Sequence, residues 1–324
     1  MIREQKYKLI THFIEDLIRS EQLHIGDRIP SVNALKIKFG LSRSSIFLAL
    51  DDLKSRGIIE TVPAIGCFVS SNRIMVKEKV LLLFNEINLF KDTIYQAFLS
   101  EIEDKAVVDI MFHNYNRSVF ETLLENANGK YSSYVIMPGK FIGLEELLAS
   151  ISGHIVLADH FSKELALKYP SVGQDFENDT YNALTSGINH IRKYHRIILI
   201  QNSSKEPEER YSGIKKFCLE NAFIPQMIPT LEGWNVQKGD LYLTAEDIEL
   251  VRLIKSIGNT GLSIGCDIGI ISYNDDPIKA ILAGGITTLS SDFGIMGKSL
   301  ARLVLDKEKR NIANPCRLEI RCSL

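Results

Sequence analysis

At the front of this 324-residue chain, the residues best suited to chemistry are Ser42-Arg43-Ser44-Ser45. Three hydroxyls and one guanidinium stand together where an apolar stripe of Ile46, Leu50 and Leu53 begins, and Gly57 closes that stripe. Ser42 reads as the N-cap of a helix. Hydroxyls and free backbone N–H groups at a helix start suit phosphate oxygens, and one Arg suits a guanine edge or a phosphate. Catalytic patterns are absent: there is no G-x-x-x-x-G-K-[ST], no G-x-S-x-G and no H-E-x-x-H, and no G-x-G-x-x-G follows a strand. The seven histidines are dispersed. His160 beside Asp159 follows a strand end, and a polar loop residue is the preferred reading there. The five cysteines (67, 218, 266, 316 and 322) are odd in number and form no C-x-x-C. They read as reduced thiols of a cytoplasmic protein, with no disulfide framework. No catalytic residue, cofactor or metal site is expected.

The elements that must position the Ser42–Ser45 cluster are legible nearby. Leu9, Ile10, Phe13, Ile14, Leu17 and Ile18 give a first helical stripe. A second helix follows Ser31 as N-cap, with Leu35 and Phe39 four apart and Gly40 as its stop. The stripe through Ile46 makes a third. "IIETVPAIGCFVSS" then alternates like two short strands joined through Pro63–Gly66. Helix, helix, short turn, helix and hairpin make a winged helix-turn-helix, whose last helix meets base edges with its N-terminal end. Residues 1–73 hold 11 Lys and Arg against 8 Asp and Glu, so the front is mildly basic while the rest is mildly acidic. This asymmetry fits a polyanionic partner for the front alone.

The stretch "GDRIPSVNALKIKFGLSRSSIFLALDDLKSRGIIETVPAIGCFV" resembles the DNA-binding domain of GntR-family transcription regulators. The resemblance implies that Arg43, Ser44 and Ser45 contact DNA, that Ser31 touches a phosphate and that Gly66 lies at the wing tip. The chain departs from the family pattern at Phe47, where a second Arg is usual, at Ile65, where a basic wing residue is common, and at Val32-Asn33. Compensation is expected from Lys36, Lys38, Lys54 or Arg56, unless these form a solvated face. Phe47 reads either as a contact to a thymine methyl or as a core residue, and the core is preferred.

Domain boundaries are expected at 1–72 for the head, 73–78 for a charged linker and 79–324 for the body. In the body, short apolar runs such as "KVLLLFNEI", "VVDIMFH", "RIILIQ" and "IGIISY" alternate with helical patterns, which means a parallel sheet. Two such series predict two α/β lobes, with a small-molecule cleft at the carboxyl ends of the strands. No apolar run approaches the roughly 18 residues needed to span a bilayer, and the N-terminus lacks an apolar segment of the signal-peptide type.

"VGQDFENDTYNALTSGINHI", "EERYSGIKKFCLENAF" and "IGIISYNDDPIKAILAGGITTLSSDFGIMGKSLARLVL" resemble the effector domain of LacI/GalR-type regulators, which share a fold with periplasmic sugar-binding proteins. A GntR head on such a body is similar to the arabinose-repressor-type subgroup. The resemblance implies that Arg210 grips sugar hydroxyls, with a helix-face ion pair as its plainer reading. It makes Trp234 a stacking ring, with core or hinge packing as the alternative. It places Asn274 and Asp275 in a ligand loop, leaves Glu246 doubtful as a contact, and adds Asp159 and the Asn88–Phe90 segment as further contacts. The function implied is a ligand-responsive repressor: a homodimer binding double-stranded operator DNA, sensing a monosaccharide, and having no membrane partner. The alternatives are an acidic or phosphorylated effector, or a DNA-binding dimer without a ligand.

Overall fold

The computed structural model describes residues 2–63, 65–72, 78–202 and 205–324. The expected linker therefore lies, except for Glu78, outside the described residues. The head runs α1 (Ile2–Arg19), α2 (Val32–Phe39), α3 (Arg43–Ser55), β1 (Ile59–Val62) and β2 (Gly66–Val69). Ile10, Ile14 and Ile18 of α1 meet Leu35 of α2 and Ile46, Leu50 and Leu53 of α3 in one core. The four-residue recurrence on each helix puts these side chains on one face. The strands β1 and β2 pair antiparallel, with Ile59 opposite Val69 and Val62 opposite Gly66. Arg56, one residue past α3, pairs with Glu15 of α1 and, at 2.8 Å, with Asp52. This ties α1 to the end of α3.

The body continues with β3 (Glu78–Phe84), α4 (Leu89–Ile102), β4 (Ala106–Phe112), α5 (Arg117–Ala127), β5 (Ser133–Ile136), α6 (Glu145–Ser150), β6 (His154–Asp159), α7 (Lys163–Ala166) and β7 (Ser171–Gly173). Next come α8 (Phe176–Ser186), α9 (Ile188–Ile191), β8 (Arg196–Ile200), α10 (Glu209–Asn221), β9 (Ile224–Ile228), β10 (Asp240–Thr244) and α11 (Asp247–Gly258). The chain closes with β11 (Gly269–Tyr273), α12 (Pro277–Ile281), β12 (Thr287–Ser291), α13 (Phe293–Asp306), β13 (Asn311–Ala313) and β14 (Cys316–Glu319). Two six-stranded sheets result, ordered β13-β7-β6-β5-β3-β4 and β14-β12-β11-β10-β8-β9. Strands β3 to β6 pair in parallel, as do β8 to β12. The last strand, β14, runs antiparallel to β12.

The chain divides into two compact units. One holds Met1–Lys91, Phe98–Ser171 and Lys298–Arg310; the other holds Asp92–Ala97, Val172–Gly297 and Asn311–Leu324. The first therefore includes the head and the first lobe, and the second is the second lobe. The central strands, β3, β5 and β6 in one sheet and β8, β10 and β11 in the other, are buried on both faces and read as near-continuous apolar runs, as buried parallel strands do. Leu81–Phe84 and Ile197–Ile200 have no exposed surface. Between Phe176 and Ile191 the chain forms two helices, α8 and α9, broken at Gly187. A Cβ there would lie 2.6 Å from the Leu318 side chain, so Gly187 lets α8 and β14 pack closely without moving that side chain. Among the described residues, no helix is long and apolar enough to cross a membrane.

Candidate functional site

The head presents the start of α3 much as its sequence suggests. Ser42 is the N-cap, its Oγ accepting the Ser45 N–H at 3.3 Å and lying 2.9 Å from Ser44 Oγ. One orphan donor is thereby satisfied, while the other first-turn N–H groups lack intrahelical partners. Ser31 caps α2 by accepting the Ala34 N–H at 3.2 Å, which leaves its hydroxyl proton free to be donated. Arg43 and Ser44 are exposed and Ser45 is half-buried. Among the described residues, Arg43 reaches Asn33 Oδ1, at 3.5 Å.

Among the expected compensating cations, Arg56 is committed to Glu15 and Asp52. Lys38 lies over the Phe13 ring, 3.6 Å from its centroid. Lys36 and Lys54 are exposed. A cation that the sequence reading passed over stands at the wing. Arg28 is exposed, and a Cβ on Gly66 would fall 2.8 Å from its Nε and 3.0 Å from one terminal nitrogen. Gly66 also has a φ of +143°, a backbone conformation that favours glycine, so the wing strand starts where a side chain would be strained and would crowd the guanidinium. Phe47 is not in the core. It is 51 % exposed, because the buried positions Ile46, Ala49, Leu50 and Leu53 use the other side of α3.

In the second lobe, a small recess opens at the carboxyl ends of the strands. Arg210, Asp179, Asn274, Tyr273, Phe176 and Ser291 contribute to its lining. Its free volume is about 10 Å³, room for one water-sized group such as a single hydroxyl. Arg210 is supplied by the first turn of α10 and is only 5 % exposed. Its guanidinium carbon lies 4.2 Å from the Tyr273 ring centroid and 5.2 Å from that of Phe176. One terminal nitrogen pairs with Glu206, but Nε–H is buried without an acceptor. Leaving a buried donor unpaired costs about 1–3 kcal/mol, which an incoming acceptor would recover. Arg210 thus makes an ion pair and also lines the recess.

Asp179 projects into the same recess from α8. Burial, and then the carboxylate of Asp175, push it up to about 6. Cys316 also lines the recess, and burial pushes its thiol up to about 12, so it stands there as an un-ionised, weakly polar wall. Asn274 lines it as well, in the left-handed conformation (φ +62°) that Asn tolerates, with its N–H donated to Leu289 O at 2.8 Å. The carboxylate of Asp275 points elsewhere. It accepts both arms of the Arg321 fork, at 2.7 and 2.8 Å, and that fork holds it below the usual carboxylate range. Asp275 thus anchors the loop that carries Asn274.

Trp234 is not brought to this cluster. Its Nε1 donates to Tyr242 Oη at 3.2 Å, Tyr242 donates to Asp240 at 2.8 Å, and Asp240 takes the bidentate Arg196 fork. Arg196 and Asp240 open β8 and β10, so Trp234 belongs to the amino edge of the sheet, opposite the recess. It packs against the core of the second lobe, the alternative reading of this residue. Glu246, also doubtful, is the residue before α11 and is not part of the lining.

In the first lobe, Asp159 ends β6 in the left-handed conformation (φ +71°) and is buried in an ion pair with Lys91 of α4. Phe90 precedes that lysine and is half-buried. Asn85, just past β3, donates to Tyr115 Oη at 3.1 Å. Sequence reasoning missed Lys91, Asp179 and Ser291. Asp179 lies inside a stretch singled out above, but no spacing marks it.

Residues 6–69 match the family described as bacterial regulatory proteins, gntR family, and residues 190–324 match a periplasmic binding protein-like domain. The chain is 37% identical over 67 residues to the uncharacterized HTH-type transcriptional regulator YdfD of Bacillus subtilis (strain 168), and 32% identical over 99 residues to YydK of the same organism, likewise an uncharacterized HTH-type transcriptional regulator. Those matches cover 21% and 31% of this chain, but only 14% and 37% of the relatives' own lengths.

Solved structures resemble more of the chain. A LacI transcriptional regulator from Alkaliphilus metalliredigens QYMF complexed with D-xylulofuranose matches 76% of this chain and 98% of its own, at a TM-score of 0.62 and 14% identity. A transcriptional regulator CelR–cellobiose complex matches 91% and 100%, at 0.62 and 15%. The lac repressor dimer bound to operator and an anti-inducer matches 76% and 94%, at 0.64 and 17%. At such identities the likeness is one of fold. The chain thus joins a head that matches the gntR family of bacterial regulatory proteins to a body that matches a periplasmic binding protein-like domain and shares its fold with LacI-type regulators.

Proposed function

We propose that this protein is a ligand-responsive transcription regulator, a repressor of the arabinose-repressor type that controls carbohydrate-use genes. The head binds operator DNA in the major groove, and the second-lobe recess takes one hydroxyl of a neutral monosaccharide. The observation that carries the choice of ligand is the pairing of donor and acceptor in one recess. Arg210 offers an unpaired Nε–H and Asp179 a carboxyl group, with the Phe176 and Tyr273 rings beside the guanidinium. A polyol satisfies both, because each hydroxyl donates and accepts and its C–H face packs on an aromatic ring. An anion fits less well. Arg210 is already neutralised by Glu206, and Asp179 would repel a carboxylate or phosphate.

The protein acts as a homodimer in this reading. Ile248 and Val251 on α11 and Ile278 and Ile281 on α12 are exposed, and Lys279–Asp247 (2.8 Å) links the two helices. Effector binding changes operator affinity only as far as the sugar prefers one state of the protein over the other.

The test is a thermal-shift screen of the full chain against neutral monosaccharides, sugar acids and sugar phosphates. A hit at a hundredfold excess over Kd stabilises by about 2.7 kcal/mol. A neutral sugar as the hit, lost in Arg210→Ala, supports the reading. A response confined to acids or phosphates overturns the choice of ligand.

A further inference from the structure

Helix α3 has two apolar faces, only one of which is covered. Ile46, Ala49, Leu50 and Leu53 are buried in the head core, whereas Phe47 is 51 % and Leu48 55 % exposed. Phe47 stands one turn after Arg43 and one turn before Asp51, and both of these are exposed. Residues four apart share a helix face, so Arg43, Phe47 and Asp51 form one outward stripe, with Ser44 beside it. That stripe starts at the capped N-terminus of the second helix of the helix-turn-helix, the part that enters the major groove. A bare phenyl ring in that position has no donor or acceptor. It cannot pair with the polar edges of guanine, cytosine or adenine, and covering those edges would strand their hydrogen-bonding groups. Thymine alone presents an apolar group, its C5-methyl, in the major groove.

We propose that Phe47 is a specificity-determining residue that packs on the C5-methyl of a thymine, so that each operator half-site carries an A·T pair at the position facing the middle of α3. This rests on the reading of the head as a major-groove binder. Arg43, one turn earlier, then reads or anchors the neighbouring position, and the ring spaces it from Asp51, whose carboxylate would repel the phosphates.

The experiment starts from an operator selected with the full chain from random-sequence duplexes. Each thymine of the half-site is then replaced in turn by 2′-deoxyuridine, which removes only the methyl group. Affinities are measured by fluorescence anisotropy for wild type, Phe47→Leu and Phe47→Ala. The expected result is one thymine per half-site whose loss of methyl weakens wild-type binding by about fourfold, the worth of one buried methyl group. Phe47→Leu keeps part of that discrimination, and Phe47→Ala binds thymine and uracil duplexes equally.

If wild type binds its selected operator and loses affinity on Arg43→Ala, yet ignores every thymine methyl, the inference fails while the head reading stands. If no duplex is preferred at all, the head reading fails and takes the inference with it. If Phe47→Ala changes the oligomeric state and leaves methyl discrimination intact, Phe47 is a protein contact and the proposal is overturned.

Discussion

Replacing Asp179 by Asn should stabilise the protein at neutral pH. The carboxyl of Asp179 is pushed up to about 6, first by burial and then by Asp175. A raised acid pKa means that the folded state holds its proton more tightly than the unfolded chain, whose value is near 3.8. Stability from this group is therefore complete below about pH 4 and is lost as pH rises towards 6. Above pH 6, folding carries a charge in an unfavourable place. A shift of about two units corresponds to roughly 3 kcal/mol. Asp179 is only half-buried, and solvent screens part of that cost, so the expected gain is about 1–2 kcal/mol. Asn keeps the acceptor that Asp175 N–H uses at 3.1 Å, so the substitution removes charge without orphaning a donor.

The assay is urea unfolding of wild type and Asp179→Asn, followed at pH 4 and pH 7.5. Asp179→Asn should unfold at higher denaturant at pH 7.5 and match wild type at pH 4, with similar slopes. A gain that is equal at both pH values would place its cause in packing. A loss at pH 7.5 would mean that the Asp179 charge is stabilising, and the account of the recess as a site wanting a hydroxyl donor would fail with it.

Three further outcomes follow from the geometry. Arg43→Ala should weaken binding to a selected operator by about 1–3 kcal/mol, roughly 5- to 150-fold, in anisotropy titrations at fixed salt. Arg28→Ala should lower the slope of log affinity against log salt by about one per head, because it removes a cation at the wing without touching the Arg43 contacts; an unchanged slope would leave Arg28 as a packing group only. Trp234→Phe should destabilise by about 1 kcal/mol through loss of the indole N–H bond to Tyr242, yet leave effector affinity within twofold in the thermal-shift titration.

The residues that could be read from sequence are those whose environment is local. Ser31 and Ser42 cap their helices, and Gly40 stops α2 in the left-handed conformation, because cap chemistry is decided within four residues. The alternation of strands and helices gave the parallel sheets for the same reason. Strand β12 escaped notice because "TTLSS" has no apolar run; its threonines are fully buried by neighbours that the local sequence does not contain. Strand β9, at a sheet edge with Ile224 exposed and Pro225 within it, gave no alternation to find. Phe47 shows the opposite failure. Its spacing already set it off the 46-50-53 stripe, but its residue type argued for burial, and spacing was the better guide.

Trp234 and Asp179 mark a deeper limit. Both sit in loops or helices flanking the same sheet, and sequence order alone does not say which edge each will reach. The fold sends Trp234 to the amino ends, where Arg196 and Asp240 begin their strands, and Asp179 to the carboxyl ends beside Tyr273 and Ser291. An aromatic near a sugar-type motif looked like a stacking ring, while nothing in its spacing set Asp179 apart from the other polar residues of its stretch. The decisive quantity was end-of-strand position, which only register supplies. In a parallel sheet, that position separates side chains that can meet a ligand from those that hold the strands together.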